Sequence, residues 1–169
     1  MIKELAKGIS QIAQALSSKE VHYMFVGGVA NSFYGNTRPS SNLPKGIDYD
    51  IDVWYHATIS NHTNLCQAIQ ELDASISKEL LSQTFNPRKS FIKFEVDNFH
   101  FDFLPELALF HHNDFMECYS RRERGTIEGV YVDVISKEHL LLDKQKLARD
   151  KDKADIEALK TKSYKGFAR

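Results

Sequence analysis

Asp48, Asp50 and Asp52 alternate through the stretch Ile47-Asp-Tyr-Asp-Ile-Asp-Val53. A strand turns successive side chains to opposite faces, so these three carboxylates share one face while Ile51 and Val53 share the other. Carboxylates crowded in this way repel one another, so a positive charge is expected beside them. Upstream, Gly27-Gly28 closes the short apolar run Met24-Phe25-Val26. A helix that begins directly after a strand, with glycines at the junction, offers unpaired backbone N–H groups and the positive end of its dipole, and lets a phosphate come close. Taken alone, the glycine pair reads equally well as a tight turn that permits packing.

The alternatives can be weighed from the residues. Asp48-x-Asp50-x-Asp52 imitates the opening of an EF-hand loop, but Val53 stands at the sixth position and Ile59 at the twelfth, where Gly and Glu are needed. No Gly-Lys-Ser/Thr follows the glycines, and the spacing of a dinucleotide fingerprint is absent. A solvated sheet face would also display carboxylates. Against that, Asp50 and Asp52 are set among Ile51, Val53, Trp54 and Tyr55, which favours metal binding for these two over Asp48.

The elements that must position these groups follow from periodicity. Ile2, Leu5, Ile9, Ile12, Ala13 and Leu16 recur at helical spacing, with an exit at Ser17-Ser18. Val21 to Val26 reads as a strand, and Val29 to Tyr34 as a helix stopped by Gly35. A Pro- and Ser-containing loop over residues 36 to 46 leads into the carboxylate strand, and a helix covers His62 to Leu72. Phe91 to Val96 and Phe99 to Leu104 form a hairpin around Asp97-Asn98. Its apolar face carries Ile92, Phe94, Val96, Phe99, Phe101 and Phe103; its polar face carries Lys93, Glu95, His100 and Asp102. A two-residue turn sets Lys93 opposite Asp102, so an ion pair is the structural reading of that aspartate. A second hairpin turns at Glu128-Gly129 into Val130 to Ile135. Ser136 then caps a helix through Leu140, Lys144 and Leu147, and a last helix runs from Asp152 to Lys160.

At 169 residues the chain reads as one domain over 1–169, with a core at about 20–135 and a helical segment at about 136–165. Its 22 basic and 23 acidic residues create no overall field toward nucleic acid or a membrane surface. No apolar run approaches the ~20 residues that span a bilayer, and the two cysteines, Cys66 and Cys118, lack metal spacing, so a reducing cytoplasm is the expected location. The seven histidines show no zinc-site spacing, and no Gly-x-Ser-x-Gly is present. Arg121, Arg122 and Arg124 beside Tyr119 read as a solvated hairpin face rather than a nucleic-acid contact.

Taken together, the apolar strand, Gly27-Gly28, a helix and then Asp50-Ile-Asp52-Val resemble the nucleotidyltransferase superfamily of DNA polymerase β type. The minimal nucleotidyltransferases and the AbiEii-type nucleotidyl transferase toxins are nearest in shape. The likeness extends through Ala30, Gly35 and Arg38, and returns in Leu140-Leu-Leu-Asp-Lys144 and Arg149-Asp-Lys-Asp152-Lys-Ala-Asp155. The interval from Gly28 to Asp50 is longer than is usual in that superfamily, and the loop from Pro39 to Gly46 supplies the excess; a surface loop absorbs such an insertion at small entropic cost.

The resemblance implies an α/β or α+β fold, a mixed β-sheet flanked by helices with C-terminal helices. It implies transfer of a nucleoside monophosphate from an NTP to a hydroxyl acceptor with release of pyrophosphate. Asp50, Asp52 and, from the neighbouring strand, Asp102 would act as catalytic metal ligands for two Mg²⁺ (or Mn²⁺) ions ~3.5–4 Å apart, Asp102 doubling as general base. Gly27, Gly28, Lys144 and Arg38 would bind the nucleotide. Asp133, in Tyr131-Val-Asp-Val134, is the reserve carboxylate and is read as solvent-facing. The acceptor implied is a tRNA, a protein or a small molecule, and an antitoxin protein is the implied partner. A catalytically inactive relative that binds nucleotide or a partner, and a metal-dependent phosphodiesterase, are the competing functions.

Overall fold

A computed structural model describes residues 3–37, 43, 45–73, 75, 76, 78 and 82–161. Its elements are α1 (Lys3–Ser18), β1 (Tyr23–Phe25), α2 (Gly27–Phe33), β2 (Tyr49–Tyr55), α3 (Ile59–Leu72), β3 (Ile92–Val96), β4 (Phe99–Leu104), α4 (Phe115–Ser120), β5 (Glu123–Ile127), β6 (Val130–Val134), α5 (Lys137–Leu147) and α6 (Asp150–Thr161). A 3₁₀ turn over His112–Asp114 precedes α4. The strands form one mixed sheet in the order β3-β4-β2-β1-β6-β5, flanked by helices, which is the α/β architecture expected.

Local chemistry accounts for most of the boundaries. Thr58 Oγ1 accepts from the Asn61 N–H and caps α3, and Ser136 Oγ accepts from the His139 N–H and caps α5. Asp97 at φ 54° turns the β3–β4 hairpin, and Glu128 and Gly129, at φ 49° and 79°, turn β5 into β6. One expectation is displaced: α2 begins at the glycine pair itself rather than after it.

The apolar face of the central strands packs as the alternation requires. Ile51, Val53, Phe101 and Phe103 are buried, together with Ile9, Ile12, Ala13 and Leu16 from α1. Gly8 sits where a Cβ would run into the Phe99 ring, so α1 lies close against β4. The opposite face carries residues 50, 52 and 54 of β2. Trp54 closes its far end, stacked on Phe110 at 6.0 Å, edge-on to Phe115 at 5.1 Å, with its indole N–H donating to the Pro105 carbonyl. Asp52 therefore stands where that face, beyond the aromatic cover, opens to a cavity.

Candidate active site

Two pairings of β2 and β4 assemble the site. These strands run parallel with Asp50 opposite His100 and Asp52 opposite Asp102, so both carboxylate-bearing positions of β2 meet polar partners of β4 on one face. The Asp48 carboxylate, at the entry to β2, is turned to the side chain of Asn98, which donates to it at 2.8 Å. The three aspartates of the sequence motif thus divide into two in the site and one outside it.

Asp52 lies deepest. Burial first, and then the charges of Asp50 and Asp102, push its carboxyl up to about 6, against the opposing pull of Lys151 and Lys144. Asp50 is raised by burial and by Asp102, and its Oδ1 is buried without a hydrogen-bond partner among the described residues. Asp102 is held on both oxygens: Lys93 Nζ is 3.1 Å from Oδ2 and His100 Nε2 is 3.0 Å from Oδ1. The ion pair read from the hairpin register is therefore present, and it coexists with membership of the site. Three hard oxygen donors, mutually repelling and with one oxygen orphaned, suit a divalent cation.

The glycine pair acts through one member. Gly27 has φ 53°, and a Cβ there would collide with the Asp52 carboxylate, whereas a Cβ at Gly28 would meet nothing within 4 Å. Gly27→Ala is expected to cost about 1–2 kcal/mol from the backbone alone, and more as Asp52 is displaced. Gly28→Ala is expected to leave thermal stability unchanged or slightly higher, since alanine is the better residue inside a helix. Melting curves of the two variants check the contrast, and equal losses would contradict the geometry.

Gly27 and Asp52 open onto a cavity of about 340 Å³ whose walls include Leu104, Leu107, Lys144 and Arg149. Lys144 is buried and belongs to a network: Nζ lies 2.8 Å from Asp155 Oδ2 and 3.5 Å from Asp152 Oδ1. Asn31 of α2 donates to Asp155 Oδ2 at 2.8 Å, and Asn36 donates to Oδ1 at 3.2 Å. Arg149 grips Asp152 through Nε at 2.6 Å and a second guanidinium nitrogen at 3.1 Å. Burial alone would raise the Asp152 carboxyl, but Arg149 and Lys144 outweigh it and hold it below its ordinary value. The run Arg149 to Asp155, given above as part of the family likeness, thus supplies a brace joining α5 and α6 to the helix of the glycine turn.

Arg38 lies outside the described residues. Asp133 corrects an expectation: it is buried rather than solvent-facing, with Arg124 Nε at 2.8 Å and Arg122 Nε at 3.0 Å. Arg122 also lies 3.8 Å above the Tyr119 ring, so Arg122 and Arg124 are spent on internal pairing. Arg149 and His100 are the site residues that sequence reasoning passed over. For His100 the signal was its place on the polar hairpin face, two residues before Asp102.

No family model matches the chain, and no curated protein matches it in sequence. Solved structures do. An antigenic nucleotidyltransferase-like protein from Paracoccidioides brasiliensis superposes with a TM-score of 0.51 at 18% identity, over 91% of this chain and 74% of that one. The antibiotic-resistance factor ANT(2'')-Ia superposes with a TM-score of 0.52 at 15% identity, over 95% of this chain and 85% of that one. At these identities the likeness is one of fold, and the fold is nucleotidyltransferase-like. No helix among the described residues is long and apolar enough to cross a membrane.

Proposed function

We propose that this chain is a metal-dependent nucleotidyltransferase that moves a nucleoside monophosphate from an NTP to a hydroxyl acceptor and releases pyrophosphate. The observation that carries the reading is the convergence of Asp50, Asp52 and Asp102 from adjacent parallel strands beside Gly27. Fold likeness to nucleotidyltransferase-like proteins supports it. In this reading Asp50, Asp52 and Asp102 would hold two Mg²⁺ or Mn²⁺ ions, which would supply charge neutralisation at the α-phosphoryl group and a more acidic acceptor hydroxyl.

The chain's own residues do the rest. The N-terminal turn of α2 offers backbone N–H groups to the phosphates, and the missing side chain at Gly27 leaves Asp52 room beside them. Lys144 and Arg149 share the cavity wall with Asp52, Glu106 and Asp143, and in this reading they are the cations that meet the phosphates. Asp102, relieved of Lys93, is placed to accept the acceptor's proton. The apolar walls at Leu104 and Leu107 exclude water from one side of the reacting groups.

The competing reading, an inactive relative that binds nucleotide or an antitoxin-like partner, draws on Lys93, whose ammonium occupies an oxygen that catalysis needs. One experiment separates them. The protein is incubated with each α-labelled NTP, Mg²⁺ or Mn²⁺ and a cell lysate, and label is sought in RNA, protein and small-molecule fractions. Transfer by the wild type and none by the double variant Asp50→Ala, Asp52→Ala is expected. Transfer that survives the double variant would reject the assignment, no transfer with any NTP would favour the binding reading, and label appearing only as free nucleotide would indicate a phosphodiesterase.

A further inference from the structure

Between β4 and the 3₁₀ turn, residues 105 to 111 form a loop that is tied along its length. Glu106 Oε1 accepts from the His112 N–H at 3.2 Å and lies 2.8 Å from its ring Nδ1, closing the loop at its base. Within it the Leu107 N–H donates to the Phe110 carbonyl at 2.8 Å, and the Phe110 ring stands edge-on to His139 of α5 at 5.1 Å. Leu107 and Ala108 are cavity wall, in the same space as Gly27 and Asp52.

The tie at the tip of the loop is a carboxylate. Asp143 of α5, only 9% exposed, accepts from the Leu109 N–H at 2.9 Å and also from the Ala108 N–H. Ala108 and Leu109 are themselves exposed, so two successive amides at the surface are pinned from inside. Burial pushes the Asp143 carboxyl up, against the pull of these two N–H groups and of Lys144. A carboxyl held above its ordinary value costs the fold free energy when it is ionised near neutral pH. Its charge therefore fixes the loop without stabilising the domain.

The neighbouring residue completes the arrangement. Lys144 pairs with Asp155 in the brace while Asp143 holds the loop, and both line the one cavity, so a single turn of α5 sets two of its walls. Leu104, Leu107 and Leu147 give that cavity the apolar surface that covers a nucleobase, while Asp52 and Lys144 belong to its charged side. An apolar pocket discriminates by shape only while its walls hold still: one methylene is worth ~10–200-fold in a fixed pocket, and little where the wall yields. We infer that Asp143 is the positioning residue that holds the loop after β4 as a fixed wall of the cavity, and that this wall selects among the nucleobases of a bound NTP. The inference rests on the proposed function for the identity of the ligand, and on the structure alone for the clamp.

The probes are the α,β-methylene analogues of the four NTPs, which bind without turnover, titrated into the full chain with Mg²⁺ in calorimetry. In the wild type the tightest and weakest analogues are expected to differ by at least ~10-fold in affinity, and the Leu109 amide is expected to exchange its hydrogen slowly despite its exposed side chain. In Asp143→Asn, which keeps one acceptor oxygen and no charge, that amide is expected to lose ~10–100-fold of its protection, and the four affinities to converge to within ~3-fold. The melting temperature and the exchange of the Ile135 amide, bonded to the Phe25 carbonyl in the sheet, are expected to stay as in the wild type, which a merely structural role would not allow. Asp143→Ser, too short to reach the loop, is read in its place should Asp143→Asn fail to fold. Equal binding of the four analogues by the wild type, binding of none, a Leu109 amide or a spread of affinities unchanged in the variant, or failure of both variants to fold would each overturn the assignment. Since no turnover is involved, a wild type that transfers no label leaves a positive result here intact, and transfer that proceeds alongside an unchanged spread overturns this inference alone.

Discussion

Asp52→Asn is expected to lower nucleotidyl transfer by on the order of 10³-fold while making the metal-free protein more heat-stable. The first effect follows from removing a charged donor at the point where strand, glycine turn and cavity meet. The second follows from the same burial and repulsion by Asp50 and Asp102 that push the Asp52 carboxyl up to about 6. A carboxyl whose folded value exceeds its unfolded one contributes stability below the unfolded value, near pH 4, and that contribution is lost as pH rises through about 6. For a shift of this size the loss amounts to about 2–3 kcal/mol above neutrality. Asparagine carries no such loss.

The melting temperature of Asp52→Asn should therefore exceed that of the wild type by on the order of 5 °C at mildly alkaline pH, with the gap closing toward pH 4. Asp50 and Asp143, both raised by burial, add wild-type pH dependence of the same sign, while Asp152, held low, adds the opposite. Comparing the two proteins at each pH cancels the contributions of Asp143 and Asp152, while Asp50, coupled to Asp52, is itself relieved in the variant and adds to the gap in the same direction. Added divalent cation should narrow the gap, because it favours the ionised wild-type carboxylate. A gap independent of both pH and metal would show that Asp52 is not strained by its neighbours.

Asp155→Ala is expected to destabilise the protein by about 3–5 kcal/mol, the largest effect on stability of any substitution considered. It leaves the buried Lys144 ammonium with Asp152, at 3.5 Å, as its remaining ion-pair partner among the described residues, and removes the acceptor used by Asn31 and Asn36. Replacing the pair together, as Lys144→Met with Asp155→Leu, is expected to recover part of that stability, since a buried ion pair exchanged for packed apolar groups is close to neutral while Asn31 still lacks its acceptor. Denaturant unfolding of the two proteins checks this. The double variant also isolates the role of Lys144: if its ammonium serves the nucleotide phosphates, a well-folded double variant has weakened NTP binding, whereas wild-type binding would confine Lys144 to the brace.

Much of the scaffold was legible because its signals are local. Period-two alternation gave β2 and both hairpin faces, and the Asp97-Asn98 and Glu128-Gly129 turns set register closely enough to pair Lys93 with Asp102 in advance. Ser136 marked the start of α5 for the same reason: a cap is chemistry within four residues. Asp133 was misread because its alternation within β6 reports which face it occupies, not that β5 and the end of α4 bring Arg124, Arg122 and Tyr119 over that face.

By itself, then, the sequence determined the strand that carries Asp50 and Asp52, the glycine junction, and the hairpin bearing Asp102, since each is fixed by neighbours along the chain. Only the tertiary structure decided that β2 and β4 run side by side in parallel with Asp52 against Asp102 and Asp50 against His100. It alone decided that Gly27, not Gly28, makes room for a carboxylate, and that Lys144 is braced by Asp155. The physical reason is sequence separation: these contacts join residues distant in the chain, and their partners are chosen by how helices and strands pack to bury apolar surface.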